Sequence, residues 1–171
     1  KSHKQSDINK KIGEVKSIVG SAMLFQTNIF DKIGGFDENI FLYFEETDFN
    51  KRARRKGYKI LQLNTVIVQH AKGLNENTGV VKINNEAELI DLENLYSWHF
   101  IWSKFYFYKK YYGKLLSTLI FIPTLIRIFY RIFYYSKIKN DIKKKQKYYN
   151  RLDGFLASFK NKKSYKRPIT I

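Results

Sequence analysis

The stretch Gly34 to Asp48, GGFDENIFLYFEETD, constrains the fold more than any other part of the chain. Two adjacent glycines permit a backbone turn that side chains forbid. An apolar-aromatic run, Ile40 to Phe44, follows the acidic pair Asp37 and Glu38, and its length and composition read as a buried strand. Three carboxylates, Glu45, Glu46 and Asp48, then open a helix expected from about Thr47 to Lys56. Acids in its first turn and Lys51, Arg52, Arg54, Arg55 and Lys56 behind them suit the helix dipole, and Gly57 stops it. Asp48 and Arg52 stand four apart on that helix and are expected to pair as structural support.

The neighbouring segments extend an α/β reading. Lys16 to Phe25 (KSIVGSAMLF) is a short apolar run expected to be a buried strand, closely approached at Gly20 to Ala22. Thr27 to Ile33 reads as a short helical turn ended by Gly34 in the left-handed conformation. Tyr58 to His70 alternates and then becomes apolar, as a strand pair or one bent strand that carries His70 to an edge or cleft. Residues 71 to 79 read as a loop, from their turn-forming composition, and composition shifts near Val80.

Charge divides the chain unequally. It has 171 residues, no cysteine and a net charge of +17. From Asn94 onward there are 18 Lys and Arg against two acids, Asp141 and Asp153. Such a back end attracts phosphates on an anionic membrane or on nucleic acid. Glu86 to Ser97 has helical spacing, Tyr96 to Tyr112 is crowded with aromatics among Lys104, Lys109 and Lys110, and Leu115 to Ile126 is uncharged for twelve residues. That run is shorter than the ~20 residues needed to span a bilayer. Ser117, Thr124, Arg127, Arg131 and Tyr135 fall in one narrow stripe of an otherwise apolar helix over 115–135, the pattern of a helix lying in an interface, and Pro123 is a candidate kink. The expected division is therefore residues 1–79 and a helical, membrane-associating tail over residues 80–171.

Glu45, Glu46 and Asp48 serve either as ordinary helix-start acids or as functional groups. Neighbouring carboxylates repel, one pKa rises, and the group so tuned can act as a general base. The E-x-D spacing of Glu46 and Asp48 could also hold a hard cation through oxygen. His70 is either structural or a metal ligand. His3 and His99 lack a comparable setting.

Taken together, VGSAMLFQTNIFDKIGGFDENIFLYFEETDFNKRARRKGYKI, followed by a strand ending in His70 and Gly73, resembles the second half of the catalytic domain of inverting family 2 glycosyltransferases of the GT-A fold. Within that family the likeness is to bacterial rhamnosyltransferase-like enzymes of surface polysaccharide synthesis. The resemblance implies that Glu46 stands at the catalytic base, with Glu in place of the usual Asp. It implies that Gly20, Ser21, Glu45, Asp37 and Glu38 border the substrates, the last two on the acceptor side, with Gly34 and Gly35 as supporting turn residues. It makes His70 a ligand of a divalent cation, Mg or Mn, whose other ligands come from a D-x-D motif. No D-x-D occurs in these residues, so a C-terminal fragment is expected. The implied partners are a nucleotide-diphospho-sugar donor, a lipid-linked glycan acceptor and an anionic membrane surface, at the cytoplasmic face of a bacterial inner membrane. Two other readings are a non-catalytic peripheral membrane module and a nucleic-acid-binding protein. The latter is disfavoured because the aromatics flank a long apolar run rather than a polar groove, and no nucleic acid partner is expected.

Overall fold

A computed structural model of the chain describes residues 11–68 and 86–167, which divide into two compact units. The first comprises residues 11–38 and 45–68, and the second residues 39–44 and 86–167.

In the first unit, β1 (Ile12–Val15) pairs antiparallel with β2 (Ile60–Leu63), Ile12 opposite Leu63 and Val15 opposite Ile60. Helix α1 (Thr27–Ile33) ends at Gly34 with φ 95°, and α2 (Glu45–Arg55) ends near Gly57 with φ 87°. Both glycines hold left-handed conformations that a Cβ disfavours. The core is Ile33, Phe49 and Ala53, surrounded by Met23, Ile29, Phe30, Tyr58 and Ile60. Aromatic contacts reinforce it, with Phe25 stacked on Phe30 at 4.8 Å and Phe30 tilted on Phe49 at 5.4 Å.

The second unit is built on α3 (Glu86–Phe133), which is interrupted at Gly113, where φ is 76° and ψ 167°. The interruption is a reversal. Phe105 and Phe121 lie 5.0 Å apart edge to face, whereas sixteen residues of unbroken helix would separate them by about 24 Å. Residues 86–112 and 114–133 are thus two limbs folded on each other. A π-helical turn, Tyr134–Ile138, leads to α4 (Ile142–Phe159), whose N-cap Asp141 accepts from the Lys144 amide at 2.9 Å. Helix α4 runs antiparallel to the second limb, with Tyr135 against Tyr148 at one end and Phe121 against Phe155 toward the other. It runs parallel to the first limb, where Glu86 meets Lys143 and the Trp98 indole N–H donates to Asp153 at 2.8 Å. Three helical rods share a core of Ile101, Phe105, Phe121 and Phe155, with Trp98, Trp102 and Ala157 beside it. Pro123 stays within the helix, and it is Gly113 that breaks the path.

The expected α/β architecture, half of a GT-A domain, is overturned. Among the described residues the strands are β1 and β2, in one two-stranded sheet, and helix dominates. Residues 16–26 form turns and irregular chain instead of a strand, and no strand among the described residues offers them a ladder. Ile40 to Phe44 is also irregular, and Tyr43 and Phe44 adopt φ of 64° and 73°. Each such left-handed residue costs roughly 1–2 kcal/mol. The apolar run buries itself on the first limb of α3 rather than in a sheet. Tyr43 meets Phe100 at 5.7 Å, Phe44 meets Phe107 at 5.5 Å, and the Ser103 hydroxyl donates to Leu42 O at 2.7 Å. From the 58–70 stretch only Ile60–Leu63 is strand among the described residues, and His70 lies outside them.

Of the polar stripe of the second limb, Ser117 turns inward, Thr124, Arg131 and Tyr135 are half-buried and Arg127 is exposed. Ser117 is buried, and Arg131 donates to the Tyr135 hydroxyl at 3.2 Å beside α4. The opposite face is an exposed apolar ridge of Leu115, Leu119, Ile122, Ile126, Phe129 and Phe133, each between 44% and 79% exposed. Their alternating three- and four-residue spacing makes one continuous stripe along the limb. By length and composition α3 with its π-helical turn passes as a membrane-crossing helix.

Candidate active site

Helix α2 begins at Glu45, two residues before the sequence reading, so all three carboxylates lie in its first turn. They point to different tasks. Asp48 is fully buried and its Oδ2 accepts from Arg52 Nε at 2.7 Å. The same guanidinium donates from Nη1 to Ile33 O at 2.9 Å and from Nη2 to Gly35 O at 2.5 Å. Those carbonyls terminate α1, where helix geometry leaves acceptors without intrahelical partners. Arg52 therefore fastens the end of α1 to α2, and Asp48 neutralises the charge this requires. Gly34 and Gly35, with φ of 95° and 64°, shape the turn being fastened, and their amides return to Phe30 O at 3.0 and 3.1 Å.

Glu46 is half-buried and sits against the loop that carries Gly20. A Cβ added at Gly20 would lie 3.4, 3.6 and 3.9 Å from Cβ, Cγ and Cδ of Glu46. Backbone and carboxylate stem are thus in close apposition. Two long-range bonds hold the loop there. Asn50, one turn further along α2 and 1% exposed, donates from Nδ2 to Ser17 Oγ at 3.0 Å and to Ile18 O at 3.1 Å. Ser21 follows Gly20 on this loop and is exposed. Asn50 was not a candidate in the sequence, since its contacts reach 32 and 33 residues back. The only local hint was a polar residue amid the charged run at the helix start.

Glu45 supplies the electrostatic asymmetry. Its Oε2 is buried and, among the described residues, has no hydrogen-bond partner. Burial pushes its pKa up, its own backbone N–H pulls it down, and the adjacent Glu46 carboxylate raises it again.

Asp37 is half-buried and Glu38 exposed, on the turn that leaves Gly35. The proposed metal ligand His70 lies outside the described residues. Among those residues no group of three His, Cys, Asp or Glu side chains converges as a cation site. The Glu46 and Asp48 spacing does not form one either, because Asp48 is engaged by Arg52. Among the described residues, therefore, no set of side chains is placed to hold a divalent cation.

Comparison with known proteins places a glycosyltransferase-like stretch in the chain. Over 51 residues, 30% of the chain, it is 39% identical to the low-salt glycan biosynthesis hexosyltransferase Agl10 of Haloferax volcanii. The matched stretch covers 17% of that protein's length. No family model and no solved structure matches the chain.

Proposed function

We propose that this chain belongs to a hexosyltransferase that moves a sugar from a nucleotide-diphospho-sugar to a hydroxyl of a lipid-linked glycan, with inversion at the anomeric carbon. The observation that carries the reading is the half-buried Glu46 carboxylate at a helix start, beneath the Gly20 backbone and beside the up-shifted Glu45. The likeness to a hexosyltransferase supports the reaction class. In the proposed step the acceptor hydroxyl gives its proton to Glu46. Its oxygen forms a bond to the anomeric carbon as the bond to the donor's diphosphate breaks, and the departing diphosphate keeps the electron pair. Gly20 and Ser21 border the substrates close to the base, and Asp37 and Glu38 border the acceptor.

The helical unit holds the enzyme at an anionic membrane surface, on the cytoplasmic face where a lipid-linked acceptor is reached. Support comes from the apolar ridge of the second limb and from the cations of α4, Lys143, Lys144, Lys145, Lys147 and Arg151. The limb lies along the surface instead of crossing. Helix α4 packs along it, and immersing those charges in hydrocarbon costs roughly 2.5–3.5 kcal/mol each.

Glu46→Gln tests the assignment. In the full-length protein it should lower hexosyl transfer by at least a hundredfold while donor binding, measured by titration calorimetry, stays within a factor of two. Transfer near the wild-type rate, with vesicle binding intact, would instead favour a membrane module without catalysis.

A further inference from the structure

The helical unit contains a cavity of about 460 Å³, in the size range of small-ligand sites, remote in sequence from the carboxylates of α2. It is lined by Asp91 and Asn94 of α3, Gln146 and Asn150 of α4, and Lys166 and Arg167. Asp91 and Asn94 are three apart on one helix and Gln146 and Asn150 four apart on the other, so each pair presents a common face. Leu95 supplies an apolar wall.

Two features distinguish this cavity from an incidental gap between helices. First, its cations are already positioned. Lys166 Nζ donates to Asn150 Oδ1 at 2.8 Å and lies 3.4 Å from Asp153. Arg167 Nη1 donates to Ser164 O at 2.7 Å and Lys166 O at 2.8 Å, and its guanidinium lies 3.9 Å from the Phe41 ring centroid. Side chains ordered in the free protein lose less entropy on binding. Second, the Asn94 and Gln146 carboxamides and the Asp91 carboxylate have no side-chain partner among the described residues. A carboxamide offers donor and acceptor together, which suits the paired hydroxyls of a sugar ring. A guanidinium with N–H groups remaining matches phosphate oxygens.

The geometry points to a binding site for a phosphorylated hexose, with Asn94, Gln146 and Asp91 on the sugar hydroxyls and Arg167 with Lys166 on the phosphate. The same chemistry is offered by a free hexose phosphate and by the head of a lipid-linked phospho-sugar. This inference stands independently of the role of Glu46.

Saturation-transfer NMR and titration calorimetry on the full chain provide the test, with glucose 1-phosphate, methyl glucoside, inorganic phosphate and a short-chain prenyl-diphospho-glucose as probes. Glucose 1-phosphate should bind more tightly than either methyl glucoside or phosphate. The double variant Asn94→Ala/Gln146→Ala should weaken it at least tenfold, and Arg167→Gln should abolish its advantage over methyl glucoside. Tighter binding of the prenyl compound would identify the lipid-linked source, and equal or weaker binding the free one. Asp91→Asn, at an exposed position, serves if the double variant melts early. Glu46→Gln should leave all these affinities unchanged, so loss of transfer and loss of this site are separate results. Absence of binding by any sugar phosphate, or affinity indifferent to Asn94, Gln146, Asp91 and Arg167, would overturn the proposal.

Discussion

Gly154→Ala probes the closest backbone approach in the helical unit. A Cβ at this α4 position would fall well inside the contact distance of the Trp98 carbonyl oxygen, 3.2 Å from its carbon and 3.4 Å from its Cα. All three neighbours are backbone atoms of the first limb of α3, so no rotamer change relieves the clash. Restoring ordinary separation requires α4 to retreat by about 1 Å. That movement loosens the Trp98–Asp153 bond at 2.8 Å and the packing of Ala157 on Trp98 and Trp102. Overpacking a tight core costs about 1–3 kcal/mol, and a backbone-on-backbone clash belongs at the upper end. Alanine returns about 1 kcal/mol through helix propensity. The net loss should be about 2 kcal/mol, or roughly 4–8 °C in melting temperature for a chain of this size. Both tryptophans lie at the affected interface, so urea unfolding followed by tryptophan fluorescence reports on it directly. Gly154→Ala as stable as wild type, or more so, would refute the close helix crossing.

Other perturbations address other contacts. Asp48→Ala should destabilise the first unit by about 1.5–3 kcal/mol in thermal melts, because it removes a charge-assisted bond and leaves Arg52 without its buried counter-charge; a loss below ~0.5 kcal/mol would mean the two carbonyl bonds suffice. His99 is buried, its Nε2–H donating to Lys166 O at 2.9 Å and the Ser164 hydroxyl donating to Nδ1 at 3.0 Å. Burial, chiefly, and the nearby Arg167 and Lys166 charges lower its pKa despite the Lys166 carbonyl. The unfolded chain therefore takes up the proton first as pH falls through the ordinary histidine range, and stability present above about pH 6.5 is lost below it. The up-shifted Glu45 contributes with the opposite sign, so the measurement is the difference between wild type and His99→Gln, which should shrink between pH 7.5 and pH 5.5. Ile126→Glu/Phe129→Glu, on the exposed ridge, should abolish flotation with vesicles containing anionic lipid while leaving the melting temperature within about 2 °C, as surface changes do; undiminished flotation would discard the ridge as the contact.

Local signals made part of this structure legible. Gly34 and Gly57 ended the first two helices because a left-handed residue is needed there, and the acids at Glu45 to Asp48 marked a helix start. The four-residue spacing of Asp48 and Arg52 was visible, although the attachment of Arg52 to the end of α1 was not, since Ile33 O and Gly35 O are 19 and 17 residues away. The strands at 16–25 and 40–44 failed for a physical reason. A short apolar run records that side chains are buried, not what buries them, and Phe44 is covered by Phe100 and Phe107 of a helix. Gly113 drew no reading of its own, yet its positive φ reverses the chain and turns one long helical pattern into two limbs. His99 looked unremarkable because its partners, Ser164 and Lys166, are contributed from 65 and 67 residues further on.

The placement of residues 39–44 has a bearing on what completes the helical unit. This hexapeptide is flanked on both sides by the first unit but packs within the second, so the polypeptide leaves the first unit, enters the helical rods and returns. The helical rods therefore owe part of their aromatic packing, around Phe100 and Phe107, to a peptide supplied from outside their own stretch of sequence.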